Sequence, residues 1–264
     1  MKKLIITLAL ALSASIVAQA QAVYSNTVGM VKLSIEKTSL VFVSYPFESD
    51  ETNLDTIVGD QLTGAGNSGS SDRIIVWSSD SKTYETFWKV DGTGTAYDGK
   101  WYKDDGQFPP VAADVTISTG SGFWVQSRSS EDQELVINGN VPAEPVLVSI
   151  PEGLAQVGIP YPVEMNVNST EFDINAIAKG AGNSGSSDRL IFWDKDTQSY
   201  IFLWLVEGTG QAQYDGFWHY DDGAFPPTKA DIAIKPGTGF WFERRENSDT
   251  SWTPELPYDL NAEE

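Results

Sequence analysis

The sequence predicts an all-β protein with two tandem homologous domains, each a β-sandwich or barrel-like unit with one short helix. Two observations carry this prediction. Residues 64–73 recur letter for letter as residues 180–189, which indicates duplication of one domain. Within each copy the apolar runs are short, rich in Val, Ile, Thr and aromatic residues, and separated by Gly, Asp, Asn, Ser and Pro. This pattern is typical of sandwiches and barrels.

The chain begins with the features of an export signal. Lys2 and Lys3 form a basic start, residues 4–17 form an apolar stretch too short to span a bilayer, and residues 18–20 read Ala-Gln-Ala, a cleavage signal. Cleavage after residue 20 or residue 22 is expected. The mature protein is therefore expected to be secreted, extracellular or at the cell surface, without insertion into the membrane after cleavage.

The repeat divides the mature chain into a first domain at residues 21–140 and a second at residues 141–264. In the first domain, strands are expected at residues 28–35, 39–45, 73–79, 83–90, 99–103, 114–118, 121–127 and 133–138. Polar breaks within residues 73–90 and 189–206 predict hairpins. Residues 53–62 and 170–179 are the two stretches expected to be briefly helical. Pro254 and Pro257 predict that the last strand of the second domain is weak or absent, which would leave an open sheet edge.

Composition excludes several classes of function. The chain of 264 residues has a formal charge of −20 and no Cys. Disulfide scaffolds and thiolate metal sites are therefore excluded, and nucleic-acid binding is opposed by the charge. His219 is the only imidazole, and its counterpart in the first copy is Tyr102, so the repeated unit does not depend on a histidine. No enzymatic activity is expected.

Two repeated motifs suggest a ligand at first sight. Residues 64–69 fit the glycine pattern of dinucleotide sites, but a strand follows them where such a site needs a helix. No cofactor is expected; calcium is the alternative considered, because repeated aspartates are candidate oxygen ligands for it, namely Asp72, Asp104, Asp105, Asp188, Asp221 and Asp222. Solvated turn aspartates are the alternative, and the sequence contains no EF-hand loop.

Several short motifs resemble a family of exported, two-repeat all-β bacterial proteins of uncharacterised function. They are residues 26–31 (Asn-Thr-Val-Gly-Met-Val), residues 45–47 (Tyr-Pro-Phe), Tyr161-Pro162, the Arg-x-x-x-Trp strands, the two Gly-x-Gly-Phe-Trp segments and residues 139–142 (Gly-Asn-Val-Pro). The resemblance implies a secreted β protein of two repeats. It implies no activity and no site residue.

Self-association is the first functional hypothesis. The contact that docks one copy on the other could be repeated between chains to form a filament or layer. An N-terminal arm could donate a strand to the open edge of another chain. The residues expected to take part are Val23, Tyr24, Val28, Met30 and Trp252.

The alternative hypothesis is a carbohydrate-binding module that uses surface Trp and Tyr residues to bind an extracellular polysaccharide. Trp101, Trp218 and Trp252 are the candidates for stacking on sugar rings. Trp252 has no counterpart in the first copy, which favours an exposed contact.

Overall fold

The computed structural model describes residues 26–260. The export signal and the predicted assembly residues Val23 and Tyr24 lie outside this range. Within it the protein is nearly all β, as the sequence predicts, and its strands pair antiparallel. No helix among these residues is long and apolar enough to cross a membrane.

The first repeat forms a five-stranded sheet and a separate ribbon. Its elements are β1 (Val28–Ile35), β2 (Leu40–Ser44), α1 (Leu54–Ile57), β3 (Arg73–Ser78), β4 (Thr83–Val90), β5 (Lys100–Lys103), β6 (Gly122–Gln126) and β7 (Gln133–Asn140). The sheet has the order β2-β6-β3-β4-β5, and β1 pairs with β7 over eight residues.

The second repeat has the same strand order. Its elements are β8 (Val148–Ile150), β9 (Leu154–Gly158), β10 (Met165–Asn166), a 3-10 turn (Ile174–Ala176), β11 (Arg189–Asp194), β12 (Ser199–Val206), β13 (Phe217–Tyr220), β14 (Ala233–Ile234), β15 (Gly239–Glu243) and β16 (Thr250–Trp252). The sheet order is β9-β15-β11-β12-β13, while β8 pairs with β16 and β10 with β14. The predicted hairpins are confirmed: Arg73 faces Trp88 across β3 and β4, and Arg189 faces Trp204 across β11 and β12.

One face of each sheet is buried in the core of its own repeat. Buried residues of the first core include Val43, Ile74, Phe87, Trp101, Phe123 and Leu135. Those of the second include Val157, Leu190, Leu203, Trp218, Phe240 and Trp252. Because side chains alternate along a strand, the other face of each sheet stays free to contact something else.

Two elements differ from the sequence prediction, and a third agrees with it. A strand is predicted over residues 114–118, but the structure has none there, and the N–H of Ile117 bonds to the carbonyl of Thr52 instead. Asn53 caps α1 by accepting a hydrogen bond from the N–H of Thr56, whereas Asp173 makes no side-chain cap, and the second helical stretch is only a 3-10 turn. β16 is a three-residue strand paired with β8, so the predicted weakness of the last strand is confirmed.

The outer faces of the two sheets meet each other in an aromatic contact. Its large side chains are Phe42, Trp77, Trp124, Trp193 and Trp241. The ring centroids of Trp77 and Trp241 lie 5.9 Å apart, and those of Trp124 and Trp193 lie 5.8 Å apart. These pairs are equivalent under the sequence repeat, so the contact has an approximate two-fold axis.

Backbone hydrogen bonds between the repeats follow the same axis. The N–H of Ser44 donates to the carbonyl of Gly237 at 2.8 Å, and the N–H of Gly158 donates to the carbonyl of Gly120 at 2.9 Å. Ser44 and Gly158 are equivalent because each pairs with the first glycine of a Gly-Phe-Trp strand. Each repeat therefore offers the same face to the other, and the contact is closed.

Candidate functional site

The buried aspartates predicted as calcium ligands hold loops together. The carboxylate of Asp72 accepts hydrogen bonds from the backbone N–H groups of Thr63 at 2.8 Å and Arg128 at 2.6 Å. Asp188 accepts the two equivalent backbone bonds at 2.8 and 2.6 Å. Each of these carboxylates joins the end of the repeated loop to the chain that follows the Gly-Phe-Trp strand.

The other four aspartates also have protein partners. Asp104 forms an ion pair with Arg73 at 2.9 Å, and Asp221 forms one with Arg189 at 3.0 Å. Asp105 and Asp222 each accept a backbone hydrogen bond from the residue two positions later. Across residues 26–260, no group of three or more His, Asp or Glu side chains is placed to hold a metal ion. The six positions therefore give the calcium hypothesis no support.

The three tryptophans predicted to stack on sugar rings lie in the cores. Trp101, Trp218 and Trp252 are 2%, 0% and 1% exposed. The prediction that Trp252 is an exposed contact is wrong, because β16 places its ring against Phe172 and its indole N–H donates to the carbonyl of Phe172 at 3.1 Å. None of the three offers a ring face to a ligand.

The predicted assembly residues have mixed surroundings. Val28 and Met30 are 71% and 68% exposed on β1. They are already part of a strand, because β1 is paired with β7 in the same chain. Residues 28–30 are therefore not a free arm, and Trp252 is buried as described above.

A different set of residues forms a hollow of about 350 Å³ on the first repeat, here called the aromatic hollow. Four segments line it: residues 66–68, the end of β4, residues 93–97 and residues 107–110. Trp88, Tyr97 and Phe108 supply its rings, and Phe108 is 88% exposed. The side chains of Asn67 and Thr93 add polar groups at its wall.

Sheet geometry brings these segments together. Ala65 lies parallel to the end of β4, where its N–H donates to the carbonyl of Lys89 and its own carbonyl accepts from Asp91. Arg73 connects the segment at residues 66–68 with the segment at residues 107–110. Its Nε donates to the carbonyl of Ser68 at 3.1 Å, and its guanidinium forms an ion pair with Asp104, which precedes the second segment. The loop that carries Phe108 follows directly after Asp104.

Asp98 fixes the third wall of the hollow. Its carboxylate accepts from the hydroxyl of Thr93 at 2.5 Å, from the N–H of Thr93 at 3.0 Å and from the N–H of Gly94 at 2.8 Å. The hydroxyl bond, followed by the backbone bonds, holds the pKa of Asp98 below its ordinary value. The Asp98 carboxylate therefore stays ionised, and keeps its hydrogen bonds to residues 93 and 94, at any pH above the ordinary pKa of an aspartate.

The second repeat reproduces the hollow's residues. Nine of the eleven lining positions carry the same residue in both copies, and the two exceptions are Thr95, which becomes Gln211, and Gln107, which becomes Ala224. Asp215 forms the same staple, with bonds of 2.6, 3.0 and 2.9 Å. The two copies differ in how far solvent reaches the equivalent tryptophan. Trp204 is only 9% exposed, whereas its counterpart Trp88 is partly exposed.

Gly66 and Gly182 have no structural need to be glycine. Neither has a positive φ, and an added methyl group would meet only Thr93 at 3.7 Å in the first copy and the carbonyl of Glu207 at 3.9 Å in the second. Both glycines are exposed, and Gly66 lines the hollow. Because Gly66 carries no side chain, its part of the hollow wall leaves room for a ligand to approach the backbone.

The lining of the hollow is uncharged, although the protein has a net charge of −20. Asn67 uses its amide oxygen to accept the N–H of Ser70 at 3.1 Å, and its amide nitrogen has no acceptor among the described residues. Ring faces beside neutral hydrogen-bonding groups suit a ligand that is itself neutral, polar and partly apolar.

Sequence reasoning missed the hollow because its four segments are separated along the chain. Trp88 and Trp101 both recur in the second copy, so the repeat does not show which of them is exposed and which is in the core. A usable signal was nevertheless present. Eight of the ten residues in the longest letter-for-letter repeat, residues 64–73, are exposed or half-buried, while core positions such as Phe87 and Leu203 differ between the copies.

Comparisons with protein-family models, with curated proteins and with solved structures gave no match. The chemistry of the hollow is therefore the basis on which function is inferred.

Proposed function

We propose that this protein is an exported, non-enzymatic carbohydrate-binding protein that holds neutral glycans in the aromatic hollow of each repeat. The observation that carries the proposal is the duplication of an uncharged, aromatic lining in which nine of eleven positions are unchanged. Some core positions differ between the two copies, for example Ile74 and Leu190. The agreement along the lining is therefore consistent with a shared ligand.

Neutral glycans fit this lining better than other ligands. The faces of Trp88, Tyr97 and Phe108 suit the C–H faces of sugar rings, and Asn67 and Thr93 suit sugar hydroxyls. Acidic polymers are disfavoured by the charge of −20, as are nucleic acids. The predicted export signal would place the hollows where extracellular polysaccharides occur.

Titration calorimetry and affinity electrophoresis of the mature chain test the proposal. The probes are hydroxyethyl cellulose, xyloglucan, galactomannan, laminarin and soluble starch, with alginate as an acidic contrast. We expect binding to at least one neutral polymer without release of reducing sugar. Changing Phe108→Ala together with Phe225→Ala should weaken this binding about tenfold, because each change removes one ring contact.

Leu147→Ala is the matched control, since Leu147 is also apolar and 66% exposed but does not line the hollow. This variant should bind like the unmodified protein. The proposal fails if no neutral polymer binds, or if the Phe108 and Phe225 changes leave the affinity unaltered.

Self-association is a second candidate function, supported by the edge of β1. Among the described residues β1 pairs only with β7, so its opposite edge can accept a strand from another chain. Val28 and Met30 expose apolar side chains on this strand. The contact between the repeats is closed and does not itself propagate, so the β1 edge is the surface through which we propose that a filament or layer would grow.

Light scattering of the mature chain over a wide concentration range tests this second candidate. Association should increase with salt, which screens the acidic charge, and should fall when Met30→Lys places a cation on the edge. Met30→Leu is the control that keeps the apolar contact. A chain that stays monomeric at high concentration and high salt would exclude the candidate.

A further inference from the structure

We infer that one extended glycan chain runs from the aromatic hollow of the first repeat, across the groove between the repeats, along exposed and half-buried side chains of β4 and β12, so that the ligand is a polymer longer than the hollow. The inference rests on the proposed function and specifies its ligand. These side chains, here called the track, are Tyr84, Thr86 and Trp88 on β4 and Tyr200 and Phe202 on β12.

On β4 the track leads out of the first hollow. Tyr84, Thr86 and Trp88 are alternate residues, so their side chains share the outer face of the sheet. Trp88 lines the hollow, whereas Tyr84 and Thr86 line a second groove of about 260 Å³ between the repeats. At about 3.4 Å per residue, Trp88 and Tyr84 lie roughly 14 Å apart along the strand.

The second groove lies at the approximate two-fold axis. Its walls include Tyr84 from the first repeat and Tyr200 from the second, which occupy equivalent positions. The two side chains are 50% and 43% exposed. The phenol pKa of Tyr84 is raised by burial and by the neighbouring Tyr200, which agrees with the closeness of these two groups.

From Tyr200 the track continues along β12. Phe202 is 39% exposed, and its ring centroid lies 6.2 Å from that of Tyr200. Trp204 follows at the position equivalent to Trp88 but is only 9% exposed, so the exposed track ends at Phe202. The contact between the repeats therefore extends the binding surface of the first repeat onto the second.

A polysaccharide fits this surface better than a peptide or lipid does. The residues lining the first hollow and the central groove include no Lys, Arg, Asp or Glu, so no charge along them selects a charged ligand. Ring faces spaced along strands can each contact a successive part of a chain of sugar rings. Each tyrosine ring makes an edge contact with the tryptophan opposite it on the neighbouring strand, with ring centroids 5.2 Å apart for Tyr84 and Trp77 and 5.0 Å apart for Tyr200 and Trp193.

The test is the dependence of affinity on chain length. Calorimetry would compare cello-, manno-, malto- and laminari-oligosaccharides from disaccharide to decasaccharide on the full mature chain. For the series that binds, the affinity of the unmodified protein should rise with length well beyond the tetrasaccharide and then level off. The double change Tyr84→Ala and Tyr200→Ala should weaken the longest oligosaccharide about tenfold and leave the shortest that binds unchanged.

Tyr84→Phe with Tyr200→Phe is the matched control, because it keeps both rings and should keep the length dependence. The length series on the unmodified protein stands as a test even where the alanine variant is unstable. Equal affinity for short and long chains would overturn the track while leaving the hollows as binding sites. Absence of binding at every length would overturn both proposals.

Discussion

At the scale of single residues, His219 can be compared with Tyr102, the residue at the equivalent position of the first repeat. This histidine is fully buried on β13, where the first repeat has Tyr102. Its Nδ1 lies 2.9 Å from the carbonyl oxygen of Phe217, and its Nε2 has no partner among the described residues. Burial, with a smaller contribution from Lys229, lowers the pKa of the imidazole. The folded protein therefore favours the neutral ring.

We expect His219→Tyr to remove one component of the pH dependence of stability. The unfolded chain binds a proton near pH 6.5, whereas the folded chain does so only at lower pH. Stability of the unmodified protein should therefore fall as pH decreases below about 6.5, by at most about 1.4 kcal/mol per pH unit from this group. Urea unfolding of both proteins between pH 8 and pH 5 measures this dependence of the free energy of unfolding on pH. Equal pH profiles for the two proteins would contradict this assignment.

At the scale of elements, local sequence pattern predicts most strands but not their exposure. The alternation in β4 and the polar break after β3 are enough to identify the hairpin, because both signals are local. Residues 114–118 form no strand although their apolar pattern is typical of one. The N–H of Ile117 bonds to Thr52, which is far away along the chain, so the local pattern does not decide the outcome. Strand content is therefore readable from the sequence where pairing is local.

The candidate site is less predictable for the same reason. Trp88 and Trp101 both recur in the second repeat, but Trp101 faces the core while Trp88 faces the hollow. Their strands, β4 and β5, are neighbours in the sheet, and register decides which face each ring occupies. Only the unchanged repeat at residues 64–73 could have indicated the correct region from sequence.

At the scale of the whole molecule, the closed contact between the repeats determines how the hollow of the first repeat lies relative to β12 and the rest of the track. The contact depends on a close approach at Gly158, where any side chain would clash with Ser44. Phe42 adds a stacked pair with Trp124 at 4.2 Å, which has no equivalent in the second repeat because Gln156 occupies that position. Packing at the axis therefore relies on a few small and aromatic residues.

Gly158→Ala should separate the repeats at the axis and lower the free energy of unfolding by about 1 to 3 kcal/mol, the usual cost of overpacking. Adding Ser44→Gly should restore most of the loss, because the clashing atoms belong to the Ser44 side chain. Gly66→Ala, which has room for its methyl group, is the control and should leave stability unchanged. Denaturant unfolding followed by tryptophan fluorescence reports the result, since Trp124 and Trp241 lie in the contact. If Gly158→Ala were as stable as the unmodified protein, the two-fold contact described here would be incorrect, and with it the continuity of the track from β4 to β12.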